Sequence, residues 1–306
     1  MLRYLFKKFF IFLITLWVII TGSFFLMKVV PGNPFLGDRA LTQAEMQNLL
    51  KQYNLDKPLY WQYGNYLWGL AHGDFGPSYK MRDFTVTELI KISAPVSIEL
   101  TIMAIIVSVL LGIVIGTISA LRQNTPIDYG LMSIAMLGIV LPSYALAPIL
   151  ALVFGIYLKI LPIAGWAGFA PKILPVIALA LPRISYIARL VRGSTLEILH
   201  TNYIRTAYAK GLSNKIIVMR HLLKPVLIPV VSYLGPTIAT LMTGSVIIET
   251  IFDLPGLGRY VVQASLNRDY NVVLGIVIFY ATLVLVLNFV SDILYSFLDP
   301  RIKLDK

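Results

Sequence analysis

Six stretches of predominantly apolar residues dominate this chain, at about 9–30, 97–121, 129–158, 172–191, 225–250 and 272–298. Each has the ~20 residues that a helix needs to cross a ~30 Å hydrocarbon core. In lipid every backbone polar group must find an internal partner, so spans of this kind are helices. The composition agrees. The 306 residues are 58% hydrophobic and 13% charged, where a soluble domain carries about a quarter charged residues. The expected fold is all-α and polytopic, with six membrane helices. The fourth stretch is the least apolar, because it holds Pro175, Pro182, Arg183 and Arg189.

The basic start of the chain is like a secretory signal. Its apolar stretch is too long for one, and no small-residue cleavage site follows, so it reads as an uncleaved first span. The net charge of +11 speaks less to nucleic acid than to orientation, because Lys and Arg mark the cytoplasmic side of membrane chains. Arg3, Lys7 and Lys8 precede the first span. Arg192, Arg205, Lys210, Lys215, Arg220 and Lys224 lie between the fourth and fifth spans, against Glu197 alone. Arg301, Lys303 and Lys306 follow the sixth. With six spans these three groups share one side, which the charge rule makes cytoplasmic. The first loop, 31–96, falls on the other side and carries six basic and six acidic residues.

That loop has helical signals. Thr42 with Glu45 forms a capping box, and Pro58 sits where it can open a second helix. The spacing divides the chain into 1–94, the first span with the long outer loop; 95–298, a five-helix core holding a cytoplasmic hairpin at 192–224; and 299–306, a short tail.

The hairpin carries the most information. Ser194 and Glu197 form a further capping box, which predicts a helix from there to Lys210. Gly211 suits the left-handed residue that ends it, and Ser213 can cap the next helix. Ile204, Ala207 and Tyr208 share one face at i, i+3 and i+4, and the small Ala207 and Ala209 allow close approach by a partner. Arg205 and Lys210 form a basic rim. These residues alone suit two roles, resting on anionic headgroups or docking a protein.

Several other features leave alternatives open. Arg189 and Asp292 fall at similar depth and can pair across the fourth and sixth spans, or each can snorkel to the headgroups. Glu99 and Asn288 can line a path or join helices. Pro142, Pro148 and Pro182 are expected to kink their helices. Pro255, Gly256 and Gly258 mark an outer turn that suits either a gate or an ordinary interfacial helix. No G-x-x-x-x-G-K-[ST] loop is present, so the chain has no phosphate cradle of its own. There is no cysteine, no metal-ligand motif and no catalytic constellation. The expectation is a chain that is not an enzyme and holds no cofactor or metal.

Six fragments in order bring in a family: "VVPGNP", "HGDFGPSYK", "NYIRTAYAKGL", "ETIFDLPGLG", "LNRDY" and "DPRIK". Together they resemble the permease subunits of bacterial peptide importers of the ATP-binding-cassette class, the oligopeptide branch in particular, over essentially the whole chain. The resemblance implies a type I importer-permease fold and a hairpin that docks in a groove of a cytoplasmic ATPase. The family's hairpin motif is Glu-Ala-Ala followed by Gly after three residues. Ala207 and Gly211 match it, whereas Arg205 and Thr206 stand at its first two positions. Carried onto this sequence, the docking residues are Tyr203, Arg205, Thr206, Ala207, Lys210 and Gly211. The implied partners are a homologous second permease, two ATPase subunits, an extracytoplasmic peptide-binding protein and a peptide substrate, in the inner membrane and without nucleic acid. The outer turn at Pro255, Gly256 and Gly258 is implied to act as a gate or as a contact for the binding protein. The competing class from the residues alone is a secondary transporter or channel. Within the family, dipeptide, nickel and glutathione importers are the alternatives.

Overall fold

The computed structural model describes residues 2–30, 35, 42–81 and 83–298. Regular structure among them is helical, and five helices are long and apolar enough to span a membrane. Two further helices, bent by 106° to each other, make a sixth when taken together as one broken span. The chain falls into two compact units, one drawn from Met1–Ser97 with Pro255–Lys306 and the other Ile98–Leu254.

In the first unit, α1 (Leu2–Val29) and α12 (Tyr270–Leu298) pack lengthwise. Phe9 and Phe12 meet Phe289 near one end, and Phe24 packs on Leu274 and Ile278 near the other. The two helices are therefore antiparallel, which puts the start of α1 and the end of α12 on the same side of a membrane. The loop after α1 is ordered as expected. Thr42 and Glu45 cap α2 (Gln43–Gln52) reciprocally, and Pro58 precedes α3 (Leu59–Ala71). The hydrogen bonds that Glu45 takes from Thr42 hold its carboxyl below the usual range. After the loop, the long helix α4 (Val86–Leu121) begins well before its apolar stretch. Its first turns belong to this unit and the rest to the second.

In the second unit the third span is the broken one. It comprises α5 (Pro126–Val140), then α6 (Ser143–Leu150) and a π-helical turn, Ala151–Tyr157. The break falls where Leu141 precedes Pro142. A residue before proline is driven out of the helical region, and Leu141 is extended, with φ −91° and ψ 114°. Pro148, Pro175 and Pro182, by contrast, are accommodated inside helices. The centre of this unit is α7 (Ala170–Leu199), which packs on α5, on α6 and on α10 (Leu223–Ile251). Glycines let neighbours come close to it. A Cβ at Gly112 would lie 2.6 Å from Ile187, one at Gly116 2.4 Å from the Ala188 carbonyl, and one at Gly138 2.2 Å from Ser185. Gly112 and Gly116 stand at the small-xxx-small spacing of close membrane-helix contacts. Ile187, Val191, Leu222, Val226 and Val230 close the α7–α10 seam.

Candidate functional site

The hairpin differs from expectation in where its helix begins. Ser194 and Glu197 do not start one. They lie inside α7, which continues to Leu199 with Thr195 fully buried. A capping box acts only where the upstream backbone leaves the helix, and here the membrane helix runs through it. The break comes at His200 and Thr201, and the short helix α8 spans Asn202–Ala209.

The end of α8 follows expectation. Lys210 is the C-cap and Gly211 has φ +74°. The Gly211 amide donates to the Tyr208 carbonyl at 2.9 Å, and the Leu212 amide to the Ala207 carbonyl at 3.3 Å. This is a Schellman end. Leu212 then packs on the small core of Ile204, Ala207 and Ile217, with Ile198 and Leu199.

That core corrects the assignment of faces. Ala207, expected to allow close approach by a partner, is 5% exposed, and Ile204 is fully buried. The two sit one turn apart on the apolar side of α8, and that side is used to clamp the helix to its own hairpin. What points outward is Tyr203, Arg205, Thr206, Tyr208, Ala209, Lys210 and Gly211. Tyr203 also has an inner tether. Its hydroxyl donates to the His221 carbonyl at 3.1 Å. That carbonyl would normally accept from the residue four places on, but this is Pro225, which has no N–H. Pro225 therefore cannot serve as an α-helical donor to that carbonyl, and the hairpin tyrosine supplies one. His221 lies in a π-helical stretch, Ile217–Leu222, which joins α9 (Asn214–Ile216) to α10.

An ion pair secures the stem of the hairpin. Arg192 donates from Nε to Asp128 Oδ1 at 2.9 Å and from Nη2 to Oδ2 at 2.8 Å. The Asn124 amide and the Ser119 hydroxyl also donate to Asp128, which is 1% exposed. Arg192 is therefore a fixed strut between α7 and the first turn of α5. Its charge is readable from sequence, but its partner is 64 residues away and has no motif.

The remaining candidates are distributed as follows. Arg189 is exposed on α7, its guanidinium 2.8 Å from Met136 Sδ. The Asp292 side chain lies outside the described residues. Glu99 is paired with Lys172 and accepts from Trp166 Nε1 at 3.2 Å. At the turn after α10, Gly256 is the N-cap of α11 (Leu257–Leu266), Gly258 is buried in its first turn, and Pro255 precedes both. Neither glycine has a positive φ. The Leu257 amide donates to Ser97 Oγ at 2.9 Å.

One constellation joins two of the quoted fragments, a pairing with no signal in the sequence. Asp269, 1% exposed, accepts from Ser78 Oγ at 2.5 Å, the Tyr79 amide at 3.2 Å and the Lys80 amide at 3.1 Å. Asn271 Nδ2 donates to the Pro77 carbonyl at 2.6 Å. "HGDFGPSYK" and "LNRDY" are thus two halves of one knot. Burial, with the nearby Asp269 charge, pushes the Tyr79 hydroxyl up so that it stays protonated. Residues 31–34 of "VVPGNP" and all of "DPRIK" lie outside the described residues.

Comparison with known proteins places this architecture. Residues 112–304 match the model of the binding-protein-dependent transport system inner membrane components. The chain belongs to that family. It is a multi-pass protein of the inner membrane. It is 48% identical over 305 residues to the oligopeptide transport system permease protein OppB of Haemophilus influenzae, covering 99% of this chain and 100% of that one. The OppB protein of Escherichia coli K12 is 47% identical with the same coverage. The dipeptide transport system permease protein DppB of Bacillus subtilis is 44% identical over 306 residues, covering 100% of this chain and 99% of that one. A crystal structure of an amino acid ABC transporter with histidines aligns at a TM-score of 0.50 and 18% identity, over 70% of this chain and 94% of that chain, a likeness of fold.

Proposed function

We propose that this chain is the permease subunit of an ATP-driven peptide importer, with oligopeptides as its substrate class. The carrying observation is α8. It is a short, outward-facing helix clamped from within by Ile204 and Ala207, closed by Gly211 and tethered by Tyr203. A helix held in this way moves with the two spans that flank it. It is built to pass force from a protein outside the membrane to α7 and α10. The names of the relatives, oligopeptide and dipeptide transport permeases, support the substrate class.

In this reading Tyr203, Arg205, Thr206, Lys210 and Gly211 form the surface that an ATPase subunit grips, and Ala207 holds that surface in place. The hairpin and both termini are cytoplasmic. A homologous permease completes the substrate path, and two ATPase subunits drive it. An extracytoplasmic binding protein delivers peptide near Pro255, Gly256 and Gly258. The chain itself is not an enzyme and carries no cofactor. ATP binding closes the ATPase pair, the hairpin transmits that motion, and the path opens outward. The lever works only if the ATPase grips it more tightly in one state than in the other.

The test is affinity purification from native membranes in mild detergent, followed by uptake assays. Co-purification with a second six-span permease and Walker-motif ATPases, and peptide uptake that stops on ATP depletion, are expected. Uptake that survives ATP depletion but collapses with an ionophore would instead make the chain a secondary transporter. A Gly211→Asp variant should insert normally and lose uptake.

A further inference from the structure

The inference concerns α3, in the first unit, and rests on α1 and α12 being membrane spans, not on what is transported. Residues 59–71 contain no charged side chain but two tryptophans and three tyrosines. One face of α3 is committed. Tyr63, Tyr66 and Leu70 pack with Phe24, Leu274 and Ile278, and the Tyr63 hydroxyl lies 2.6 Å from Thr21 Oγ1. The other face is open, with Tyr60 79% and Trp68 69% exposed. Tyr60, Gly64 and Trp68 follow one another at four-residue steps, so they form a single stripe.

The contacts on the committed face give its depth. Thr21 and Phe24 belong to the apolar span Phe6–Val29, and Leu274 and Ile278 to the span Tyr270–Val290. At 1.5 Å per residue, Phe24 lies roughly 7 Å inside the end of its span. Lys28 marks the boundary. Its ammonium donates to Gln62 of α3 at 2.6 Å and stands 5.4 Å from the Phe24 ring centroid, the posture of a lysine reaching for headgroups from an apolar stem. The helix α3 is thus level with the outer turns of two membrane helices, not above them. An uncharged aromatic face at that level matches the zone where Trp and Tyr collect and the ~5–10 Å immersion of interfacial helices.

We propose that α3 is an interfacial membrane helix whose Tyr60–Trp68 face rests in the headgroup–acyl boundary of the leaflet at the C-terminal end of α1. Its occupant is the lipid surface itself. The helix anchors the outer loop to the bilayer and holds the segment that follows it at a set height.

The absence of cysteine makes the test clean. The full chain, reconstituted with its co-purifying partners, receives single nitroxide labels through Tyr60→Cys and Trp68→Cys. Trp17→Cys, exposed in mid-α1, is the lipid reference, and Lys57→Cys the aqueous one. Collision with oxygen relative to a water-soluble nickel complex should be several-fold higher at 60 and 68 than at 57, approaching the value at 17. Nickel-dominated collision at 60 and 68 would place the stripe in water and overturn the proposal. Shielding from both reagents would mean a protein covers it, and would overturn it equally. If the cysteine variants do not fold, quenching of Trp68 by brominated lipids decides, in a chain carrying Trp17→Phe, Trp61→Phe and Trp166→Phe. Quenching by shallow bromines is expected, and quenching by aqueous iodide alone would contradict the proposal.

Discussion

The α8 hairpin and the Asp269 knot are both small turns fastened by a few hydrogen bonds, yet they are fastened in opposite ways. The knot is dry. A buried carboxylate holds three backbone amides and a hydroxyl, and Asn271 fills the space beside Gly76, where a Cβ would lie 2.7 Å from its amide nitrogen. The hairpin has only a thin core of Ile204, Ala207 and Ile217. Its glycine, Gly211, faces open space, where a Cβ would meet nothing within 4 Å. The contrast separates two uses of a turn. The knot fixes one segment of chain to another, and any loosening leaves polar groups buried without partners. The hairpin stabilises only its own shape and leaves its outer surface uncommitted. A surface that must be gripped by another protein has to be built in the second way.

The largest expected effect lies in the knot. Asp269→Ala orphans the donors of the 78–80 turn and should cost about 3 kcal/mol or more, read as a lower melting temperature in detergent and faster tryptic cleavage after Lys80. The two glycines sharpen the comparison. Gly76→Ala combines a left-handed backbone, φ +86°, with the Asn271 contact, and should cost about 2–3 kcal/mol. Gly211→Ala has the backbone term alone and should cost about 1 kcal/mol. Equal melting shifts for the two would break the comparison. In the hairpin core, Ala207→Leu adds volume to a closed site and should destabilise it by about 1–2 kcal/mol. Uptake should fall further than overall stability, because α8 alone is unseated. The smallest effect is that of Tyr203→Phe, which removes the hydroxyl from the His221 carbonyl and should cost about 0.5 kcal/mol. It would show as faster amide exchange at 202–209 with the global melting temperature unchanged.

How much of this was legible depends on the range of the physics involved. The number of spans, the capping box at Thr42, the proline before α3 and the left-handed Gly211 are local signals, and the structure has them where the residues indicate. The Ser194–Glu197 pattern misplaces the start of the hairpin helix because it is also local, while α7 continues through the buried Val191 and Thr195. The inward turn of Ala207 escapes a local pattern for the same reason. Its hydrophobic partner, Ile217, lies across a turn. Asp128 and Asp269 were invisible because their partners stand 64 and about 190 residues away and carboxylates that clamp loops have no motif. Other left-handed helix ends fall on Asp253 and Arg268, residue types that do not announce themselves as glycine does.

The central claim is that the outer face of α8 is gripped by a cytoplasmic ATPase. A single cysteine placed by Thr206→Cys, in a chain with no other, tests it in native membranes with a short bifunctional crosslinker. The account predicts a covalent adduct with a Walker-motif ATPase subunit, its yield changing between ATP-bound and nucleotide-free conditions and falling when Ala207→Leu unseats the helix. A cysteine at 206 that reacts freely with a soluble maleimide in every nucleotide state, and yields no ATPase adduct, would contradict it.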